Sequence, residues 1–292
     1  RLDYWLMRHW DAAPVVLLAA ACLAGCGQQQ EPPALEVVQV PKVEVKGGID
    51  SHELDDAIVK IERATNTTVG LSLYDGDVTT KAGSVSSLPA WSTIKVPMSF
   101  AAQEHCEYDE DALSGLIESA IEISDNDATD QLWYCLDAAG GAQDYLRDEI
   151  GSKIDVAWGR TEWPLPAQAR YAWDISQRSD VNRNEVVEHM RHIDEEQSWG
   201  LGELGIPFKG GWGDVEEDGS WQSRQMGFGD INGVLYGIAV GAVSEDGSFQ
   251  DTVDAIDAVV GVLTGDKRAV ENIGTEEVGQ RIGDSSRGHA VM

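Results

Sequence analysis

A serine and a lysine stand three residues apart in the stretch AWSTIKVPMS, residues 90–99, and this spacing could serve nucleophilic catalysis. A serine hydroxyl is a weak nucleophile at neutral pH and needs a base within hydrogen-bond reach. On a helix, positions i and i+3 share a face, so Lys95 would lie beside Ser92 one turn further on. The N-terminus of that helix would direct free N–H groups at Ser92, where they can stabilise a developing oxyanion. The same string is also compatible with the polar start of an ordinary helix.

Two further motifs with polar side chains follow along the chain, and they favour the catalytic interpretation. A Ser-Asp-Asn motif at residues 124–126 lies between two predicted helices, and a Lys-Gly-Gly motif at residues 209–211 lies on a predicted strand. Taken singly, Ser124 and Asn126 are good helix caps, and Lys209 is an ordinary exposed strand residue. Taken together and in this order, the three motifs predict one site with Ser92 as its nucleophile.

The order of the three motifs resembles that of the class A β-lactamases and penicillin-binding proteins, and the resemblance covers about residues 50–265. In that family, Ser-x-x-Lys is followed by Ser-Asp-Asn and Lys-Thr-Gly. The resemblance implies that Ser92 becomes acylated with the help of Lys95, and that Ser124 passes a proton to the departing nitrogen. It also implies that Asn126 holds the side-chain amide of the substrate and that Lys209 attracts the substrate carboxylate.

The third motif implies an oxyanion donor and also departs from the family. By resemblance, the backbone N–H of Trp212, which follows Gly211, would be the second donor beside that of the nucleophile. Gly210 stands where the family has a threonine whose hydroxyl helps to bind the substrate carboxylate. Arg224 is a candidate to compensate for that hydroxyl, although solvent exposure is the ordinary expectation for a single arginine.

The base that would release the acyl group is the open question of the site. In the family this base is a glutamate within Arg-x-Glu-x-x-Leu-Asn, and the chain reads RTEWPLP, with Arg160, Glu162 and Leu165 at matching positions. Pro166 replaces the asparagine that helps to hold the hydrolytic water, and GRTEW resembles divergent actinobacterial relatives in which the glutamate is not a fixed feature. Glu162 is therefore a candidate catalytic base, and Asp174 is a candidate partner for Arg160 in closing this loop.

The periodicity of apolar residues predicts an α+β fold. A helix that begins at Asp50 or Ser51 precedes the strand TVGLSLY, and helical patterns then cover residues 92–106, 110–123, 128–147, 167–178 and 183–195. Strand-like segments return in GIPFKGGWG, SRQMGFG and VLYGIAVGAVS, and an amphipathic helix, SFQDTVDAIDAVVGVLTG, closes the domain. We expect an antiparallel sheet flanked by N- and C-terminal helices, with an all-helical lobe. Ser124 follows Ser92 by 32 residues, fewer than in the family that the chain resembles, so the resemblance implies a trimmed lobe.

The segments at both ends of the sequence predict targeting and linking functions. Residues 13–26, APVVLLAAACLAGC, form an apolar run too short to span a bilayer, as in a secretion signal. The last four of these residues resemble a bacterial lipobox, which implies lipidation of Cys26 and an anchor on the extracytoplasmic face of the cell membrane. With residues 1–26 as signal peptide, we expect a flexible tether over 27–48, the domain over 49–265 and a disordered tail over 266–292.

The remaining cysteines predict a disulfide, and the net charge disfavours one class of ligand. Cys106 and Cys135 are the pair left after the signal segment, and an exported chain favours a disulfide between them. The six histidines do not cluster near these cysteines, so neither a metal site nor any other cofactor is predicted. The 21 basic and 51 acidic residues give a formal charge of −30, which disfavours binding to nucleic acids.

The sequence as a whole predicts a monomeric, lipid-anchored serine hydrolase that forms an acyl-enzyme with β-lactams or related amides. Two alternatives stay open. The first is a penicillin-binding D-Ala-D-Ala peptidase or transpeptidase that acts on cell-wall peptides. The second is a catalytically idle relative that binds cell-wall peptides or a partner protein, and the trimmed lobe and the missing threonine motivate it.

Overall fold

A computed structural model of the protein describes residues 51–265. The predictions for residues 1–26, 27–48 and 266–292, including lipidation of Cys26, lie outside the described residues. Within the described range, none of the helices combines the length and the apolar character that crossing a bilayer requires.

The centre of the fold is a five-stranded antiparallel sheet with the order β2-β1-β7-β6-β5. Its strands are β1 (Thr68–Tyr74), β2 (Thr79–Gly83), β5 (Phe208–Val215), β6 (Ser220–Ile231) and β7 (Val234–Ser244). A separate two-stranded ribbon pairs β3 (Ser87–Pro89) with β4 (Glu162–Pro164). The third motif therefore lies on β5, one of the two edge strands of the large sheet.

Helices cover both faces of the sheet. On one face, α1 (Ser51–Thr65) and α8 (Phe249–Thr264) pack against each other, and α6 (Leu165–Ser176) packs on the other face against β1, β6 and β7. Successive side chains of β7 point to opposite faces of the sheet, which explains why helices pack on both faces. Ile238 and Val240 belong to the main apolar core. Ala239, between them, belongs to a second apolar cluster with Leu165 and Ala169 of α6. The small side chain of Ala239 lets α6 lie close to the sheet.

The remaining helices form the helical lobe. They are α2 (Lys95–His105), α3 (Glu110–Glu122), α4 (Asn126–Ala139), α5 (Ala142–Ile150) and the short α7 (Glu185–His189). The helix predicted over 128–147 is wrong in its continuity, since Gly140 and Gly141 have φ angles of 150° and 130° and end α4 before α5 begins. The helix predicted over 183–195 is also shorter, because turns replace its second half after Met190.

A disulfide between Cys106 and Cys135 joins the end of α2 to α4, with the two Cα atoms 5.7 Å apart. It fastens together the two helices that carry Lys95 and Asn126. The predicted architecture is confirmed: an antiparallel sheet lies between terminal helices and a separate helical lobe.

Candidate active site

Ser92 lies in a 3₁₀ turn, Trp91–Ile94, that leads directly into α2. Only 3% of its surface is exposed, and its Oγ makes no hydrogen bond to any other described residue. The preceding residue, Trp91, has a φ angle of +48°, which is uncommon for a bulky side chain. The nucleophile predicted from the sequence is therefore held at the start of a helix, on a strained turn, with its hydroxyl unengaged by the described chain.

Lys95 is fully buried and reaches into the turn between α3 and α4. Its Nζ lies 3.2 Å from Ser124 Oγ and 2.8 Å from Asn126 Oδ1, and it also donates to the carbonyl oxygen of Ser124. The structure thus brings the first and second motifs into contact. Asn126 is the first residue of α4, and the side chain of Asp125 caps this helix by accepting from the Ala128 N–H at 3.0 Å.

Lys209 approaches the same hydroxyl from the sheet. Its Nζ donates to Ser124 Oγ at 3.1 Å and to the carbonyl oxygen of Gly210 at 3.0 Å, and its side chain is fully buried. Ser124 Oγ therefore lies between two lysine nitrogens that come from two of the three motifs. No salt bridge among residues 51–265 involves either lysine.

Burial shifts the protonation of both lysines in the same direction. Removal from water lowers the pKa of Lys95 well below its ordinary value, and the charge of Lys209 lowers it further. The carboxylates of Asp125 and Asp130 act in the opposite direction. Burial alone lowers the pKa of Lys209 to about 7. An amine that has lost its proton at neutral pH can act as a base, whereas an ordinary lysine cannot.

The three contacts of Lys95 fit the neutral amine as well as the ammonium form. A neutral amine has two N–H donors and one lone pair. It can donate to the carbonyl oxygen of Ser124 and to Asn126 Oδ1 while it accepts the proton of Ser124 Oγ. The lone pairs of Ser124 Oγ then receive the N–H of Lys209. The arrangement can therefore move a proton between Lys95 and Ser124 without any change in side-chain position.

Strand β5 passes directly behind the nucleophile. A Cβ atom added to Gly211 would lie 2.5 Å from the backbone nitrogen of Ser92, so only glycine allows this approach. The approach places the Gly211–Trp212 segment beside the Ser92 amide, as an oxyanion hole with one donor from each element requires. The side chain of Trp212 packs away from this contact, against Trp199 and Phe249.

Glu162 is engaged outside the cluster of lysines and serines, and its role as the base stays a prediction. It lies on β4, and its exposed carboxylate accepts a hydrogen bond from Ser87 Oγ on the neighbouring strand. Within residues 51–265 it forms no hydrogen bond or salt bridge with Ser92, Lys95 or Ser124. The pairing of Pro89 with Glu162 explains the position, because it makes the segment a ribbon strand whose alternate residue, Trp163, faces the core.

The residue that does face Lys95 from this loop is Trp158, which the sequence analysis did not identify. Lys95 Nζ lies 5.5 Å from the centre of the Trp158 ring, and Trp158 Nε1 donates to Asp130 Oδ1 at 3.0 Å. Arg160 stacks on the ring of Trp91 at 4.7 Å and forms no salt bridge with Asp174, so that predicted pair is wrong. The cluster of tryptophans in AWGRTEW was the available signal.

Arg224 is neither exposed nor available to a substrate, contrary to both expectations. It is fully buried and donates to the carbonyl oxygens of the ribbon and to Gln168 Oε1. Gln168 Nε2 in turn donates to Thr93 Oγ1 at 2.9 Å, and Thr93 Oγ1 donates to the carbonyl oxygen of Ala90. This chain of hydrogen bonds supports the turn that carries Ser92.

Backbone strain is concentrated at the site. Within the described part of the chain, four residues other than glycine have positive φ angles: Asn66, Trp91, Ser124 and Asn232. Asparagine tolerates this region, so two of the four are ordinary turn residues. The other two, Trp91 and Ser124, are a neighbour of the nucleophile and the hydroxyl shared by the lysines. Such strain is typical of functional sites that the surrounding structure holds in place.

Comparison with known proteins was made for families, curated sequences and solved structures. No protein-family model matches the chain, and no curated protein matches it. Solved structures do match: the TLA-3 extended-spectrum β-lactamase is 14% identical, covers 74% of this chain and 98% of its own, and has a TM-score of 0.58. The fold is that of the class A β-lactamases.

Two further structures show the same likeness. A class A β-lactamase from Bacteroides cellulosilyticus is 16% identical, covers 73% of this chain and 98% of its own, and has a TM-score of 0.56. The putative class A β-lactamase PenP from Rhodopseudomonas palustris is 14% identical, covers 73% of this chain and 99% of its own, and has a TM-score of 0.55.

The described range has no group of three or more metal-ligating side chains suited to an ion.

Proposed function

We propose that this protein is a serine hydrolase in which Ser92 forms a covalent acyl-enzyme with a β-lactam or a related amide. The observation that carries the proposal is the position of Ser124 Oγ, which lies within hydrogen-bond distance of both Lys95 Nζ and Lys209 Nζ. Two buried lysines around one hydroxyl, with no carboxylate paired to them in the described range, form a costly arrangement that proton transfer explains.

Acylation uses these groups together with Ser92, whose Oγ has no hydrogen bond to Lys95 within residues 51–265 and must reach that amine when the substrate binds. Ser92 Oγ bonds to the carbonyl carbon of the substrate, and its proton passes to the neutral amine of Lys95. The carbonyl oxygen becomes an oxyanion, which the N–H groups of Ser92 and Trp212 stabilise. The bond between carbonyl carbon and nitrogen then breaks, and the nitrogen takes the proton of Ser124 Oγ. Lys95 returns its proton to Ser124, so the protons balance at the end of the step.

Substrate binding uses the remaining members of the site. Protonated Lys209 attracts a carboxylate on the substrate and needs no added hydroxyl to do so, although the missing threonine weakens this contact. Asn126 Oδ1 accepts from Lys95, so Nδ2 is the atom that would donate to a carbonyl group of the substrate side chain. These contacts fit a β-lactam and equally fit the end of a cell-wall peptide.

The location of Glu162 favours a second candidate, a penicillin-binding peptidase or transpeptidase, over an efficient β-lactamase. Hydrolysis of an acyl-enzyme needs a base that orients water, and the carboxylate of Glu162 is engaged by Ser87 instead. We therefore expect acylation by penicillins to be faster than the release of the acyl group. A catalytically idle relative is the less favoured candidate, because the two lysines and Ser124 are assembled around one hydroxyl.

We also propose that the protein is exported and anchored in the membrane through a lipid on Cys26. The disulfide between Cys106 and Cys135 supports export, because disulfides persist in oxidising compartments.

Intact-mass measurements with a penicillin over time test the proposal. A mass increase equal to the whole penicillin that persists for hours supports the penicillin-binding candidate, and one that appears and decays supports a β-lactamase. Ser92→Ala must abolish the adduct, whereas Ser119→Ala, at a half-buried position on α3, must leave it unchanged. The absence of any adduct, or an adduct at another serine, would contradict the assignment.

A further inference from the structure

Trp158 occupies the space next to Lys95 on the side of the 155–161 loop. Its side chain is 93% buried and lies against the lysine, while its single polar atom, Nε1, donates to Asp130 Oδ1. Asp130 lies on α4, one turn after Asn126, so the helix that carries the second motif also fixes the indole. Helix α4 therefore holds Trp158 in place through Asp130 and also carries Asn126, which contacts Lys95.

A cavity of about 230 Å³ borders the same indole. Its walls are Trp91, Asp130, Trp158 and the neighbouring residues of the loop. Val156 also lines it and is 74% exposed, so the cavity reaches the protein surface. Lys95 is not part of its wall, and its Nζ lies over the Trp158 ring. Trp158 is therefore in contact with both the cavity and the buried amine.

We propose that Trp158 determines the lifetime of the Ser92 acyl-enzyme by keeping water away from Lys95. This inference rests on the proposed function. In hydrolysis, a water oxygen bonds to the acyl carbonyl carbon, one of its protons goes to a base, and the ester bond to Ser92 Oγ breaks as that oxygen regains a proton. Lys95 is the base closest to this chemistry, and an indole whose N–H is already bonded offers no group that could orient a water beside it.

Variants of Trp158 test the inference by intact-mass measurement of acyl-enzyme decay. Trp158→Ala joins the cavity to Lys95, and we expect the adduct to decay at least tenfold faster than in the wild type. Trp158→Phe keeps an aromatic ring beside Lys95 but loses the pyrrole part of the indole and the bond to Asp130. Because the remaining ring still covers the amine, its decay should stay within threefold. Trp173→Ala is the matched control, because that ring packs on Tyr74 away from the site and its loss should not change decay.

The pH dependence of acylation is a second readout that a purely structural effect would not move. Burial holds the pKa of Lys95 below its ordinary value, so admitting water in Trp158→Ala raises that pKa. The rising limb of the acylation rate should then shift to higher pH in Trp158→Ala and stay in place in Trp158→Phe.

The outcomes separate the two proposals. Adduct formation with unchanged decay in Trp158→Ala overturns the inference and leaves the proposed function standing. No adduct in the wild type overturns both. If thermal melting shows that Trp158→Ala does not fold, Trp158→Leu carries the test, since it also removes the indole but fills more of the space. We expect its decay to be at least about fivefold faster, and an unchanged rate would overturn the inference.

Discussion

Lys95 Nζ and Lys209 Nζ lie 3.2 Å and 3.1 Å from the same atom, the hydroxyl oxygen of Ser124. One lysine comes from the first turn of α2 and the other from the edge strand of the sheet, so a single hydroxyl connects the helical lobe to the sheet. This connection makes Ser124 the most informative position for substitution.

Replacing Ser124 by alanine removes the group that links the two lysines and that, in the proposed acylation, delivers the proton to the leaving nitrogen. We expect Ser124→Ala to slow acylation by a penicillin about 10²–10³-fold, within the range of a lost general acid. The adduct should still map to Ser92. Stopped-flow or quenched intact-mass measurements give the rate, and Ser119→Ala serves as the control. An unchanged rate would exclude Ser124 from proton transfer.

Glu162→Gln tests whether Glu162 is the base that releases the acyl group. The carboxylate is exposed and accepts from Ser87 Oγ, with no hydrogen bond to either lysine in the described range, so we expect the acyl-enzyme to decay within about twofold of the wild-type rate. The measurement is the decay of the adduct mass after excess penicillin is removed. A large slowing would show that Glu162 reaches the site during the reaction and would restore it as the base.

The stability of the protein should rise with pH in a window set by Lys209. The pKa of this residue is about 7 in the folded chain and about 10.4 when unfolded, so the unfolded chain binds more protons between these values. One such group adds about 1.4 kcal/mol to the free energy of unfolding for each pH unit in this window. Below the window, the folded and the unfolded chain both bind this proton, so the residue makes no contribution to the pH dependence of stability. Urea unfolding at pH 7, 8 and 9 should show a steeper rise for the wild type than for Lys209→Met. Parallel slopes would contradict the shifted pKa.

Arg224→Met should destabilise the fold strongly. The variant leaves the carbonyl oxygens of Leu88, Pro89 and Trp163 buried without their donor. We expect a loss of about 3–5 kcal/mol, because each buried acceptor left without a donor costs about 1–3 kcal/mol. Arg147→Met, which breaks only an exposed pair with Asp144, should cost less than about 1 kcal/mol. Equal losses in the two variants by urea unfolding would be inconsistent with this role.

Loss of the disulfide should lower stability without removing the site. The bridge closes a sequence separation of 29 residues, for which chain entropy gives about 3–4 kcal/mol. We expect the double variant Cys106→Ala/Cys135→Ala to melt at a lower temperature and still to form the adduct. Thiol titration of the unreduced wild type should find neither cysteine reactive, and two reactive thiols would show that the bridge does not form.

Much of the fold follows from local sequence patterns. Apolar periodicity predicts the sheet, the terminal helices and most of the lobe because each element buries one face. The exception between residues 128 and 147 arises because helical periodicity continues across Gly140 and Gly141, while backbone conformation breaks there. A local sequence pattern therefore predicts the periodicity of a helix well, but it does not predict the backbone angles of a glycine.

The site was predictable only where its motifs fix their own geometry. Ser92 and Lys95 share a helical face, and Ser124 and Lys209 meet Lys95 because the fold brings the three motifs together. The contacts of Glu162 could not be predicted, because a match of residue types does not determine strand pairing, and in the ribbon this carboxylate accepts from Ser87. The burial of Arg224 depends on carbonyl groups from three separated segments, which no local pattern reveals.

The left-handed backbone of Trp91 and Ser124 has a consequence for how this protein can change. A residue other than glycine in this region costs the folded state about 1 kcal/mol. Glycine at either position would relieve that cost, yet at residue 124 it would also delete the shared hydroxyl. Selection for thermal robustness and selection for turnover therefore act in opposite directions at this turn, and laboratory evolution for heat resistance alone should erode the activity here first.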